Sequence, residues 1–205
     1  MSFEAFAALT IHDVKNRLAT LAGRAEARGD SETLREALDA AARLTALLVC
    51  YRAERGWQGA DIDAHIPEDL LDELAAQAAR MSATPVRTEA GPLDGLFFYD
   101  ETLVRMTLEN ALQNALRHAR SEVLLGVHAD EQWLDFTVED DGEGYPADLL
   151  AGAGQPAALS GQGTGLGLHL ARLVAGLHAH AGKEARVELA NREQGGARFS
   201  LRLPR

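Results

Sequence analysis

The chain is poor in cysteine, with Cys50 alone in 205 residues. No internal disulfide can form, which suits a reducing compartment. Within a helical apolar pattern, Cys50 reads as a small core residue. Positive charge is also scarce. Lys and Arg number 20 against 31 Asp and Glu, a formal net charge of -11. Affinity for nucleic acid and for anionic lipid comes from Lys and Arg, so neither is expected as a partner. There is no apolar run long enough to cross a bilayer, and MSFEAFAALT lacks the basic start and apolar stretch of a signal peptide. The expectation is a cytoplasmic protein with no membrane segment. No internal repeat and no long disordered tail interrupts it. What remains is ordinary globular composition, 46% hydrophobic and 25% charged, long enough to bury a real core.

From Ile11 onward the apolar positions Ile11, Val14, Leu18, Leu21 and Ala25 alternate in steps of three and four, a narrow helical seam. RGDS at 28–31 breaks it: Gly29 suits a left-handed helix end, and Asp30 or Ser31 suits a helix N-cap. A second helix carries Leu34, Leu38, Ala41, Leu44, Leu48 and Tyr51 on one side. So short a turn makes the two helices antiparallel, and pairing two such hairpins into four helices covers both seams. GWQGA at 56–60 reads as a linker, which divides a hairpin domain, 1–56, from a second domain, 61–205.

Beyond the linker, DIDAHI, PVRTEA, LFFY, SEVLLGVHA, QWLDFTVED, ARVELAN and ARFSLRLP read as strands. PEDLLDELAAQAARM, DETLVRMTLENALQNALRHA and GLGLHLARLVAGLHAHA read as helices, with Asp100 as a cap and a Gly- and Ala-rich loop over about 142–163. About three helices interleaved with a predominantly antiparallel sheet predict a two-layer α/β sandwich, not a doubly wound sheet. The whole chain is therefore α+β.

Three stretches carry chemistry. In LENALQNALRHA, Asn110, Asn114 and His118 recur every four residues along one helix side. Amide oxygens suit Mg²⁺, and Arg117 beside them suits a phosphate; a polar solvated face fits the same pattern. In VEDDGEGYP a strand runs into Asp140, then Gly142 and Gly144, where backbone can approach a ligand closely; an acidic turn is the plain alternative. In GQGTGLGLHLA, glycines at 161, 163, 165 and 167 open a helix whose free N–H groups make an anion site; a flexible connection fits as well.

In this order, on these elements, the three resemble the ATP-binding domain of the histidine kinases, within the larger group of gyrase-type and Hsp90-type ATPases of the Bergerat type. The resemblance covers about 61–205. It implies that Asn114 holds Mg²⁺ and that Asp140 contacts the adenine amine. Asn110, Arg117 and His118 would lie near the nucleotide, with Gly142 and Gly144 in the first glycine box. Gly163, Thr164, Gly165, Leu166 and Gly167 form the second, bringing backbone to the phosphates. The loop between the boxes would be the ATP lid; it is short and has no phenylalanine box. Hydrolysing relatives carry a glutamate four residues before the metal asparagine; that position is Asn110, and Glu109 lies about 100° around the helix. This favours a kinase over an ATPase.

His12-Asp13-Val14-Lys15-Asn16 resembles the phosphoacceptor box of the same family, with Arg17 where proline is usual. His12 points about 150° from the seam, and Asn16 lies within about 40° of it, so both face outward. Asp13 would take the Nδ1 proton and leave Nε2 free as nucleophile. The resemblance implies that Asn16 positions water for dephosphorylating a partner. The expected activity is ATP-dependent phosphorylation of His12, then transfer to an aspartate of a response regulator receiver domain, in a homodimer joined through the hairpin. No sensor is recognisable, so a separate sensor or upstream partner is expected. The alternatives are a histidine phosphotransferase or scaffold with an inactive ATP-binding-like domain, and an ATPase or serine kinase of the larger group. His178 and His180 fall near a helix end, where a cation suits the dipole, and are not read as a zinc site.

Overall fold

The computed structural model describes residues 3–54, 59–151, 166–180 and 182–205, with some helix side chains, among them His12, Ile11 and Cys50, outside the described set. The chain forms two compact units, 1–57 and 58–205.

The first unit is a helical hairpin, α1 (Phe3–Arg28) and α2 (Ser31–Glu54). Its turn closes as the glycine requires: Gly29 sits at φ 68, and the Asp30 N–H returns to the Ala25 carbonyl at 2.9 Å. The Asp30 carboxylate then caps α2, accepting from the Thr33 N–H at 3.1 Å and the Thr33 hydroxyl at 2.7 Å. These bonds hold its carboxyl below the ordinary value. Small residues make the close approach: Ala22, Ala25 and Ala37 are buried. Of the seam residues expected inside, Val14 and Leu21 stay 39% and 45% exposed, and Leu47 of α2 is 51% exposed. A single hairpin thus leaves these three apolar side chains exposed.

The second unit contains β1 (Asp63–His65), α3 (Pro67–Met81), β2 (Val86–Ala90), β3 (Phe97–Tyr99), α4 (Glu101–His118), β4 (Val123–Ala129), β5 (Trp133–Asp140), α5 (Ala147–Ala151), α6 (Leu166–Leu177), β6 (Arg186–Asn191) and β7 (Ala197–Pro204). Five strands form a mixed sheet in the order β2-β4-β5-β7-β6, parallel only at β2–β4. β1 and β3 pair in a separate two-stranded sheet. The α+β class and the two-layer sandwich expected from the sequence are the observed fold. Two details differ. The strands divide between two sheets, and the five-residue helix α5 lies in the stretch read as an irregular loop. α6 also stops at Leu177, because the His178 N–H turns back to the Ala175 carbonyl at 3.0 Å.

Alternation decides the layers. Val123, Leu125 and Val127 of β4, Leu134, Phe136 and Val138 of β5, and Phe199, Leu201 and Leu203 of β7 point to one face and are buried. Leu70, Leu71 and Leu74 of α3 and Leu108 and Leu112 of α4 join them in one core. The opposite face bears charge: Arg202 grips Asp135 in a fork at 2.7 and 2.8 Å, Glu139 receives Arg192 at 3.0 Å and Arg198 at 3.3 Å, and Arg87 meets Glu122 at 3.2 Å. Such a face is built for water, so the helices cover only one side. Among the described residues no helix is long and apolar enough to cross a membrane.

Tyr99 is fully buried, edge-on to Phe136 at 5.6 Å, and its hydroxyl has no partner among the described residues. Burial pushes that hydroxyl well above its ordinary pKa. A buried unpaired hydroxyl costs about 1–3 kcal/mol. Tyr99→Phe is therefore expected to leave stability unchanged or raise it, measured by urea unfolding. A loss above about 1 kcal/mol would show that the hydroxyl is paired in solution.

Candidate nucleotide-binding site

α4 is positioned at its start by Asp100, whose Oδ1 accepts the Leu103 N–H at 3.0 Å. Leu103, Val104, Thr107, Leu108, Leu112 and Ala115 fasten one face of the helix to the core. Asn110 and Asn114 come out half-buried at the edge of that face, with Arg117 and His118 exposed beyond them. No hydrogen bond or ion pair engages any of these four side chains among the described residues. Half-buried amides left this way call for water or a ligand.

The far end of α4 is locked to the turn after β5. The Asp141 carboxylate accepts the N–H groups of Arg120 at 2.8 Å and Ser121 at 3.0 Å, and the Ser121 hydroxyl. Those bonds, the hydroxyl's first, hold its carboxyl far below the ordinary range. Gly142 follows, and the space a side chain would take there is filled by the His118 carbonyl. The first glycine box therefore rests directly on the end of α4.

Asp140 is 3% exposed. Its Oδ1 accepts from the Gly142 N–H at 2.8 Å and the Ala197 N–H at 3.3 Å, while Oδ2 receives no donor among the described residues. An anchored carboxylate with one open oxygen is suited to accept from an amine. Past it, Gly144 adopts φ 85. Asn191 at the end of β6 takes the Tyr145 N–H at 2.6 Å and donates to the Tyr145 carbonyl at 3.0 Å, pinning the loop to the sheet. Burial, with Asp140 adding, pushes the Tyr145 hydroxyl pKa up to about 12.

α6 closes the other side. A side chain at Gly167 would strike the Asn110 amide oxygen, so the start of α6 lies against the middle of α4. Asn110 and Gly167 are thus brought together, as are Gly142 and the His118 carbonyl. Gly163, Thr164 and Gly165 lie outside the described residues, as does the side chain of Leu166. Glu109 is half-buried, and burial raises its carboxyl pKa.

In the hairpin unit, Asp13 and Asn16 are exposed on α1, and the His12 side chain lies outside the described residues. Asp13 Oδ2 pairs with Arg17 Nε at 3.0 Å. α1 runs on through Arg17 as a helix. His178, expected as a cation at a helix end, is instead buried, and burial lowers its pKa. Sequence reasoning also missed Asp141, Asn191 and Gly196, whose absent side chain makes room for the Asp140 carbonyl.

The family described as Histidine kinase-, DNA gyrase B-, and HSP90-like ATPase matches residues 99–205. The chain is 32% identical over 140 residues to the sensor histidine kinase component HK1 of Mycobacterium tuberculosis, covering 66% of this chain and 79% of that one. The chain belongs to the sensor histidine kinase family. This kinase-family chain is also 38% identical over 105 residues to the sensor histidine kinase GtrS of Pseudomonas aeruginosa, covering 50% of its own length and 21% of GtrS. Full-length ShkA, crystallised with AMPPNP, shares its fold at TM-score 0.71 and 21% identity, over 98% of this chain and 45% of ShkA. The chain spans less than half the length of the first curated relatives it matches.

The contact at Gly142 is directly testable in this histidine kinase relative. Gly142→Ala places a methyl group against the His118 carbonyl, with an expected overpacking cost of about 1–3 kcal/mol. The urea midpoint should fall with an unchanged slope. An unchanged midpoint would mean that the turn and α4 do not touch in solution.

Proposed function

We propose that the chain is the catalytic core of a histidine kinase, binding Mg-ATP in the second unit and transferring its γ-phosphoryl group to His12. The observation that carries this reading is the set of unsatisfied groups in one region: the amides of Asn110 and Asn114, the Arg117 guanidinium and Asp140 Oδ2, none with a partner among the described residues. A free carboxylate oxygen suits an adenine amine. Two open amides and a free cation suit a metal–triphosphate.

Asn114, with Asn110 beside it, would hold Mg²⁺; amide oxygen is a proper ligand for an ion that keeps several waters. When bound, Mg²⁺ neutralises phosphate charge. Arg117 and His118 lie along the same helix side and would meet the phosphates, joined by backbone of the second glycine box. The anchored Oδ1 of Asp140 keeps Oδ2 aimed and so orients the base. In the transfer, the bond from the γ-phosphorus to its bridging oxygen breaks and ADP leaves as the His12 Nε2–phosphorus bond forms. Asp13 holds the Nδ1 proton. For that it must exchange Arg17 for the imidazole, which is cheap because the pair is exposed, 62% and 80%, and such pairs contribute little. Catalysis is mainly positioning and charge neutralisation.

The phosphoryl group would then pass to an aspartate of a response regulator receiver domain, with Asn16 placing water when the flow reverses. The exposed Val14, Leu21 and Leu47 support pairing with a second copy through the hairpin. A cytoplasmic setting and a sensor or upstream partner complete the reading.

Incubation with γ-labelled ATP tests it. The expected result is an acid-labile, alkali-stable label that is lost in His12→Gln and in Asn114→Ala. Asp140→Ala should weaken ATP binding by about tenfold to a hundredfold, the value of a hydrogen bond to a charged group. Absence of ATP binding would instead favour a phosphotransferase or scaffold. Phosphate release without protein labelling would favour an ATPase.

A further inference from the structure

His178 lies just past the end of α6, 5% exposed, and uses both ring nitrogens. Nε2 accepts the backbone N–H of Asp100 at 2.9 Å, at the cap of α4. With Nε2 as acceptor the proton sits on Nδ1, which donates to the Val174 carbonyl at 2.7 Å. The imidazole is therefore neutral and of fixed tautomer. The same Asp100 also takes the Leu103 N–H at 3.0 Å and the Asp61 N–H at 2.8 Å, so three segments meet there.

The placement has a geometric consequence. α4 and α6 touch at two levels: His178 on Asp100 at one end, and Gly167 on Asn110 at the other. Ten residues of α4 and eleven positions along the α6 segment separate the levels, about 15 Å of helix in each. The upper contact is a steric abutment without a hydrogen bond. The lower one is a directional hydrogen bond.

We propose that His178 is a positioning residue for the nucleotide site, a neutral brace between α4 and α6 that holds the start of α6 against the Asn110 amide. This rests on the nucleotide reading of that site. Protonation puts a hydrogen on Nε2, facing the Asp100 N–H, and removes the acceptor. Among the described residues Asp100 is the charged group that acts on His178; it favours the proton, but burial outweighs it and the pKa is lowered. The sign follows: the brace is fully present above the ordinary imidazole value of about 6.5 and is lost as pH falls from there through the lowered folded-state value.

Two variants of the full chain separate this role from plain packing. His178→Phe keeps the ring and removes the acceptor, while His178→Gln keeps an acceptor that does not titrate. In nucleotide-free protein, amide exchange at 170–173, in the first hydrogen-bonded turn of α6, should quicken about tenfold in His178→Phe, the value of one lost hydrogen bond, with exchange at 123–127 in the core strand as the reference for global stability. Between about pH 7.5 and about pH 5.5, after correction for intrinsic rates, the same acceleration should occur in the wild type and not in His178→Gln. Calorimetry with Mg-ADP should show about tenfold weaker binding in His178→Phe and binding within about threefold of wild type in His178→Gln at the higher pH. Unchanged exchange at 170–173 in His178→Phe, equal acceleration at 123–127, or the same pH response in wild type and His178→Gln would each overturn the brace. Wild type that fails to bind Mg-ADP would overturn the nucleotide reading, while the exchange experiment still decides the brace.

Discussion

The second unit depends on the pair of carboxylates that ends β5. They are neighbours in sequence and face opposite tasks. Asp141 gathers the N–H groups just past α4, and Asp140 gathers those of its own turn and of the start of β7. Between them they join a helix end, a glycine turn and two strands at one point. Two glycines make the junction close enough: Gly142 admits the His118 carbonyl, and Gly196 at φ 98 admits the carbonyl of Asp140. Arg192 adds a bond to that carbonyl at 3.0 Å. Backbone groups that would be stranded at a helix end and a strand end satisfy each other's neighbours instead.

This junction explains how an open oxygen can be kept in a buried place. A nearly buried carboxylate with an unused acceptor would ordinarily rotate to use it. Asp140 cannot, because Oδ1 is held by two backbone donors. The same economy governs Asn110 and Asn114. Their helix is fastened by Leu108, Leu112 and Ala115 on one face and by the Asp100 cap at its start, so the amides stay at the edge without partners. At Asp140, Asn110 and Asn114 local rules of satisfaction are broken where the rest of the element is over-determined, which is the pattern expected of a site.

Much of this was legible in the sequence because the signals were local. The period of α3 and α4, Pro67 at a first turn, Asp100 at a cap, Gly29 followed by Asp30, and the alternation in β4, β5 and β7 all act within a few residues. The rest was illegible because the partners are distant and are backbone. Nothing near Asp141 marks it as the acceptor for residues 120–121, about twenty positions earlier. Parallel pairing of β2 with β4 depends on a crossover through β3 and α4, so a reading of strands alone puts all of them in one sheet and does not see that β1 and β3 pair apart. His178 was misread for the same reason. Near a helix end a histidine suits the dipole as a cation, but that rule assumes water, and burial beside the Asp100 N–H reverses it.

Arg17 sharpens what the helix around His12 can do. A proline at that position would remove an amide donor and push the helix off line. With arginine the helix runs through, and the Thr20 hydroxyl returns to the Asn16 carbonyl at 2.8 Å, one turn back. The arginine also reaches Asp13, one turn earlier on the same side. Residues 13–20 are therefore continuous helix, and Asp13 already has a partner. An exposed pair at i and i+4 contributes at most about half a kcal/mol. That is no more than thermal energy, too little to keep Asp13 from an imidazole beside it. Where the family it resembles has proline and a bend, this chain has a continuous helix and a side-chain clasp between Arg17 and Asp13.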